Sequence, residues 1–222
     1  QAPTRFLVSG MGDALSTYFE ARANVRSFSR VNASLPCGAR EGVCAPGMGT
    51  NAAFALATQC YQTLMADGRK AKQACDMNIV TPALENIIEA NILLSGLGFE
   101  SGGLAAAHGI VDGLTILPGT HKYMHGEEVA FGTLCHMMLE NAPTEELVEV
   151  LDFCLDVGLP VCLADIGVES ISPEELRQVA EKASIPEEST HAMPFPVNAQ
   201  TVAAAIVAAD KLGSTYKQER AK

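Results

Sequence analysis

The chain has 222 residues, 48% hydrophobic and 18% charged, too apolar for a disordered polypeptide and long enough to enclose a core. Its formal net charge of −11, with 15 scattered Lys and Arg, excludes the clustered basic surface that a phosphate backbone requires, so nucleic acid is not an expected partner. Every apolar run breaks before the roughly 18 residues of a spanning helix, and the opening QAPTRFLVSG lacks the blocks of a signal peptide, so a cytoplasmic protein with no membrane partner is expected.

Alanine is the commonest residue, Trp is absent and β-branched residues are sparse, a composition that favours helix. In chain order, the first expected helix covers about 12–23. Residues 24–49, rich in Gly, Ser, Pro and Arg, read as a loop, and a second helix follows near 50–66. TPALENIIEANILLSGLG carries Thr81 as cap and Pro82 just inside, then turns apolar on nearly every side before stopping at Gly96, the pattern of a central, buried helix. A helix over about 100–115 holds AAAHGIVDGL. LPGTHKYMH, residues 117–125, reads as a loop, and a helix near 126–140 follows.

TEELVEVLDFCLDVG begins at Thr144 with acids in its first turn and ends at Gly158. In SPEELRQVAEKAS, Ser172 caps, Pro173 sits at the first helical position and Glu175 completes a capping box. Residues 184–197, with Pro186, Pro194 and Pro196, form a loop before a last helix from Asn198 to Gly213. No period-two alternation and no strand-helix-strand order occurs, so the expected fold is all-α, a multi-helix bundle forming one domain over 1–222.

Seven cysteines, at 37, 44, 60, 75, 135, 154 and 162, form no CxxC pair and leave an odd one over. Reduced thiols, mostly small core residues in helices, are expected; Cys37 and Cys44 are the one pair worth testing for a bridge.

Five histidines stand at 108, 121, 125, 136 and 191. A helix running from about Ser101 sets Leu104, His108, Val111, Asp112 and Thr115 on one stripe, with small residues around His108 that let something approach it. A core histidine satisfied by one hydrogen bond is the plainer reading of the same helical pattern. His125 precedes Gly126 and an acidic turn, at a loop-to-helix junction. His121 is four residues from His125, but Pro118 and Gly119 argue for a loop, which makes it an outer-layer or surface residue. Asp13, in SGMGDALSTYFEA, is either a helix N-cap or a ligand. One carboxylate and two imidazoles would leave a coordination position open, as catalytic metals require, and both zinc and iron(II) suit such a set.

VSGMGDALSTYFEA, GLGFESGGLAAAHGIVDGLT, HGEEVAFGTL and HAMPF, in that order from about Val8 to Leu212, closely resemble the glycerol dehydrogenases of the iron-containing alcohol dehydrogenase superfamily. The resemblance implies a fold like the C-terminal metal-binding domain of glycerol dehydrogenase and dehydroquinate synthase-like enzymes. It implies metal ligands at Asp13, His108 and His125, and a substrate-lining role for Phe99, for which core packing is the plain alternative. The metal implied is zinc, with iron(II) the lesser choice. The reaction implied is oxidation of glycerol or another small polyol to its ketone with NAD, in a homo-oligomer.

The segment from about Val25 to Met48 departs from the family pattern, and no counterpart of the family's nucleotide-binding half occurs in the 222 residues. GMGD and GMGT do not replace it, because neither follows an expected strand. The chain opens with Gln rather than Met and reads as a piece of something longer, a glycerol dehydrogenase without its NAD site. The alternative is a non-catalytic metal-bound module for oligomerisation or for binding a partner subunit. Hydrolysis at an open metal site is a third, weaker reading.

Overall fold

The computed structural model of the chain describes residues 3–29 and 47–222. Cys37 and Cys44, and most of the segment that departs from the family pattern, lie outside the described residues. Among the described residues the fold is helical with no β-strand, as expected, and no helix is long and apolar enough to cross a membrane. Cys60, Cys135 and Cys154 are buried in helices, again as expected.

Helix α1 (Thr4–Ser27) is the element around which the others gather, packing on α2 (Asn51–Asp76) and on the buried α6 (His125–Glu140). It buries Met11, Ala14, Leu15 and Phe19 completely. It starts at Thr4, well before the expected position 12, because Gly10 and Gly12 sit inside the helix instead of interrupting it. A helical glycine costs only about 1 kcal/mol, and Gly12 has a use that offsets it. A Cβ there would lie 2.2 Å from the carbonyl oxygen of Gly126, and a Cβ at Gly126 would lie 1.9 Å from that of Ser9. The two glycines therefore let the backbones of α1 and α6 touch where they cross.

Thr50 caps α2 by accepting the Ala53 N–H at 3.1 Å, and the helix runs to Asp76 rather than 66. Thr81 caps α3 (Pro82–Glu89) through the Leu84 N–H at 3.2 Å, as its sequence announced. The helix does not stop at Gly96. It passes through a π-helical turn, Ala90–Leu94, into α4 (Ser95–Gly102). Nor is it buried all round: Leu84, Ile87, Ala90 and Leu94 face inward, while Ile88, Ile92, Leu93 and Leu97 are exposed on the opposite face.

The expected helix over 100–115 is two helices. Gly103, at φ +85°, ends α4 with its N–H bonded to the Phe99 carbonyl, and α5 (Ala106–Leu114) restarts three residues later. Leu104 thus falls in the break. A left-handed backbone of this kind is open to glycine and strained for other residues.

Among the described residues three further helices follow: α7 (Thr144–Val157), α8 (Pro173–Lys182), with the capping box at Ser172 and Glu175, and α9 (Ala199–Arg220). Asn198 caps α9, which continues past Gly213. The connections hold short 3-10 turns at Thr120–Lys122, Leu163–Ile166 and Ser189–Ala192; the last packs on α5. Away from the α1–α6 crossing, Arg22 of α1 bridges Glu146 of α7 at 2.6 Å and Glu140 of α6 at 2.9 Å, with Arg26 on the other Glu140 oxygen.

Candidate metal centre

The α1–α6 crossing brings Asp13 and His125 face to face, because each follows or precedes one of the touching glycines. Asp13 lies mid-helix in α1, so the N-cap alternative does not apply to it. His125 is the first residue of α6, whose start is pinned by Glu127. That carboxylate accepts the Met124 N–H at 2.9 Å and is gripped in turn by Arg5 of α1, at 2.7 and 2.8 Å. His108, in the first turn of α5, arrives from the third side.

Asp13 Oδ1 stands 3.4 Å from His108 Nε2 and 3.8 Å from His125 Nε2, and one ligand atom from each of the three residues lies within 4.8 Å of the others. Donors bonded tetrahedrally to one ion at roughly 2.0–2.2 Å stand roughly 3.3–3.6 Å apart, a spacing near that of Asp13 Oδ1 to the two imidazole nitrogens. Asp13 Oδ1 is buried, and among the described residues it makes no hydrogen bond, its nearest facing group being His108 Nε2 at 3.4 Å. An orphaned carboxylate oxygen is costly unless a cation answers it. The exposure of the side chains rises from 12% at His108 to 37% at Asp13 and 57% at His125, so the cluster opens to solvent on the His125 side.

The other nitrogen of His108 is engaged: Nδ1 is 2.6 Å from Oε2 of Glu20, a fully buried carboxylate of α1. Oε1 of Glu20 accepts the backbone N–H groups of Ala105 and His108, at 2.8 and 3.0 Å. One turn later, Asn24 donates to the Leu104 carbonyl at 2.7 Å, so α1 stitches the break between α4 and α5 from two positions. Burial opposes charge on the His108 ring, but Glu20 and Asp13 outweigh it and push the imidazole up to about 10. Burial likewise raises the Glu20 carboxyl, yet His108 more than cancels it and holds the group below the usual glutamate range. Two carboxylates converging on one imidazole make a place that favours positive charge, whether a proton or a metal ion.

Phe99 of α4 stands edge-on to His108, ring centroids 5.0 Å apart at 85°, and is half-buried, so it borders the cluster. His121 lies outside it, exposed, with Nε2 on the Thr115 carbonyl at 2.9 Å. His191 is also exposed and faces the Ser184 and Ile185 carbonyls. Glu20 escaped the sequence reading because its partners are more than eighty residues away. A signal did exist: it follows Asp13 by seven residues, two helical turns, on the same face, among apolar neighbours.

The chain matches no protein-family model. It is 48% identical over 221 residues to a glycerol dehydrogenase of Thermotoga maritima, covering 98% of this chain and 56% of that protein. The crystal structure of glycerol dehydrogenase from Schizosaccharomyces pombe superposes with a TM-score of 0.90 at 38% identity, over 99% of this chain and 54% of that one. An iron-containing alcohol dehydrogenase from Thermococcus thioreducens shares the fold, with a TM-score of 0.63 at 13% identity, over 95% of this chain and 52% of that one. The chain thus spans about half the length of the relatives it matches.

Proposed function

The chain belongs to the glycerol dehydrogenases of the iron-containing alcohol dehydrogenase superfamily, within which it corresponds to the helical C-terminal domain, and on that premise we propose that it binds one divalent cation through Asp13, His108 and His125. The cation we propose is zinc, and the 222 residues act as a single domain supplying the metal and polyol side of an NAD-linked dehydrogenase cleft.

The observation that carries this reading is the buried, unpartnered oxygen of Asp13 facing two imidazole nitrogens. A bound zinc ion supplies Lewis acidity, which draws electron density from a polyol hydroxyl and eases the loss of its proton. Asp13 supplies the anionic ligand and the two imidazoles the neutral ones, leaving room on the exposed His125 side for a hydroxyl oxygen. Phe99 gives a polyol an apolar wall beside His108. In this reading the NAD side of the cleft comes from outside the 222 residues. Positioning of two reactants is worth roughly 7–11 kcal/mol of barrier, so one wall alone retains little of the rate.

The test has two arms. Purified chain, loaded with zinc and dialysed, carries one ion per chain by elemental analysis, and the Asp13→Asn variant carries almost none. The same chain given glycerol and NAD produces little or no NADH. Absence of bound metal in the parent chain overturns the ligand assignment, and rapid NADH formation overturns the division of labour.

A second reading, a non-catalytic metal-bound module that assembles with copies of itself or with a partner subunit, draws on a different feature. Phe6, Val80, Ile88 and Ile92 leave a largely apolar, exposed groove between α1 and α3. Mass in solution, measured with and without chelator, separates it from the first.

A further inference from the structure

We infer that Glu20 is a positioning residue: its two oxygens divide the labour between capping α5 and fixing His108 in the tautomer and orientation that present Nε2 to the cation site. The inference rests on the metal reading above and adds to it the group that makes His108 a ligand.

The backbone around α5 shows why Glu20 is there. The residue preceding the helix is Ala105, which has no side-chain acceptor and makes no capping bond. Most helices solve this locally with Ser, Thr, Asp or Asn at that position. Here the cap comes from α1, through Oε1 of Glu20, on the N–H groups of Ala105 and His108. A cap needs no more than that one oxygen. The second, Oε2, lies 2.6 Å from His108 Nδ1, and the Glu20 side chain is fully buried, so no water competes for its carboxylate.

An ionised carboxylate only accepts hydrogen bonds, so the proton of that contact sits on Nδ1. The lone pair available for a metal is then on Nε2, the nitrogen that faces Asp13. The ring cannot flip without breaking the Oε2 contact, and Phe99 stands edge-on against it as a second stop. A carboxylate behind a ligating imidazole raises its basicity, and removing such a partner typically weakens metal binding 10- to 100-fold.

Glu20→Gln separates the two roles. Its amide oxygen still accepts from the backbone of α5, but its NH₂ then points at Nδ1 and selects the wrong tautomer. Cobalt(II) titrations, followed through the visible d–d bands, are run on the parent chain, Glu20→Gln, His108→Ala and the double variant, with helical circular dichroism as a check. We expect Glu20→Gln to weaken cobalt about 10- to 100-fold with helicity unchanged, and to add nothing once His108 is gone. An affinity within about twofold of the parent, or an equal loss in both backgrounds, overturns the inference. A parent chain that binds no cobalt removes the metal reading itself, and the inference with it.

The second measurement needs no variant. In ¹⁵N-labelled, ¹¹³Cd-loaded parent protein, the inference places cadmium coupling on His108 Nε2 and a bonded proton on Nδ1. Coupling at Nδ1 contradicts it.

Discussion

Helix α1 borders two sites where histidine meets carboxylate, one at His108 and one at His136, and they differ in what surrounds them. At one, His108 contacts Glu20 on one nitrogen and faces Asp13 on the other, and among the described residues no arginine or lysine answers Asp13 Oδ1. At the other, His136 is completely buried with its Nε2 3.7 Å from Glu140, but Glu140 is already held by Arg22 and Arg26. Burial raises the Glu140 carboxyl, while His136 and Arg22 outweigh it and bring it down to about 2. The first pair has a carboxylate left over and lacks a cation; the second is already neutralised by fixed side chains. On the proposed reading, a buried histidine beside an acid is not by itself enough for a metal site. The deciding quantity is the charge balance around it.

The largest expected effect comes from forcing the helices apart. Gly126→Ala puts a methyl group into the Ser9 carbonyl, which should cost about 3 kcal/mol in chemical denaturation and abolish metal uptake by separating Asp13 from His125. Next, His108→Ala should weaken zinc binding about 100-fold or more by chelator competition, whereas His136→Gln should leave it within about twofold. Arg22→Ala should reverse that pattern, costing about 2 kcal/mol of stability, scaled down for partial exposure, without altering metal content.

The smallest effect is in acid. The Glu140 carboxyl is depressed from 4.5 to about 2 in the folded chain, so its contribution is complete above its unfolded value and is lost as pH falls through the folded one. Glu140→Gln should therefore flatten the fall in stability between about pH 4.5 and 2, by about 1 kcal/mol after discounting for solvent.

How far the sequence discloses these features depends on the range over which each is encoded. The caps at Thr81, Ser172 and Asn198 are readable because cap and helix lie within four residues of each other. The early start of α1 is hidden because Gly10 and Gly12 read as interruptions, and only the crossing with α6 explains them. The break at Gly103 is hidden in a run of small residues, since a positive φ leaves no mark on the side-chain pattern. Spacing alone left Asp13 balanced between cap and ligand, and left His108 readable as a core residue. Family motifs singled out the three residues, and the fold brings one ligand atom of each within 4.8 Å of the others. Glu20 carried neither a motif nor a local partner.

The central claim is that Asp13, His108 and His125 share one cation. Crystals of the chain soaked in zinc, with diffraction recorded on both sides of the zinc absorption edge, test it most directly. The account predicts a single strong anomalous peak per chain, within roughly 2.0–2.2 Å of Asp13 Oδ1 and of Nε2 of both histidines. A peak elsewhere, or none at millimolar zinc with the three side chains turned apart, would contradict it.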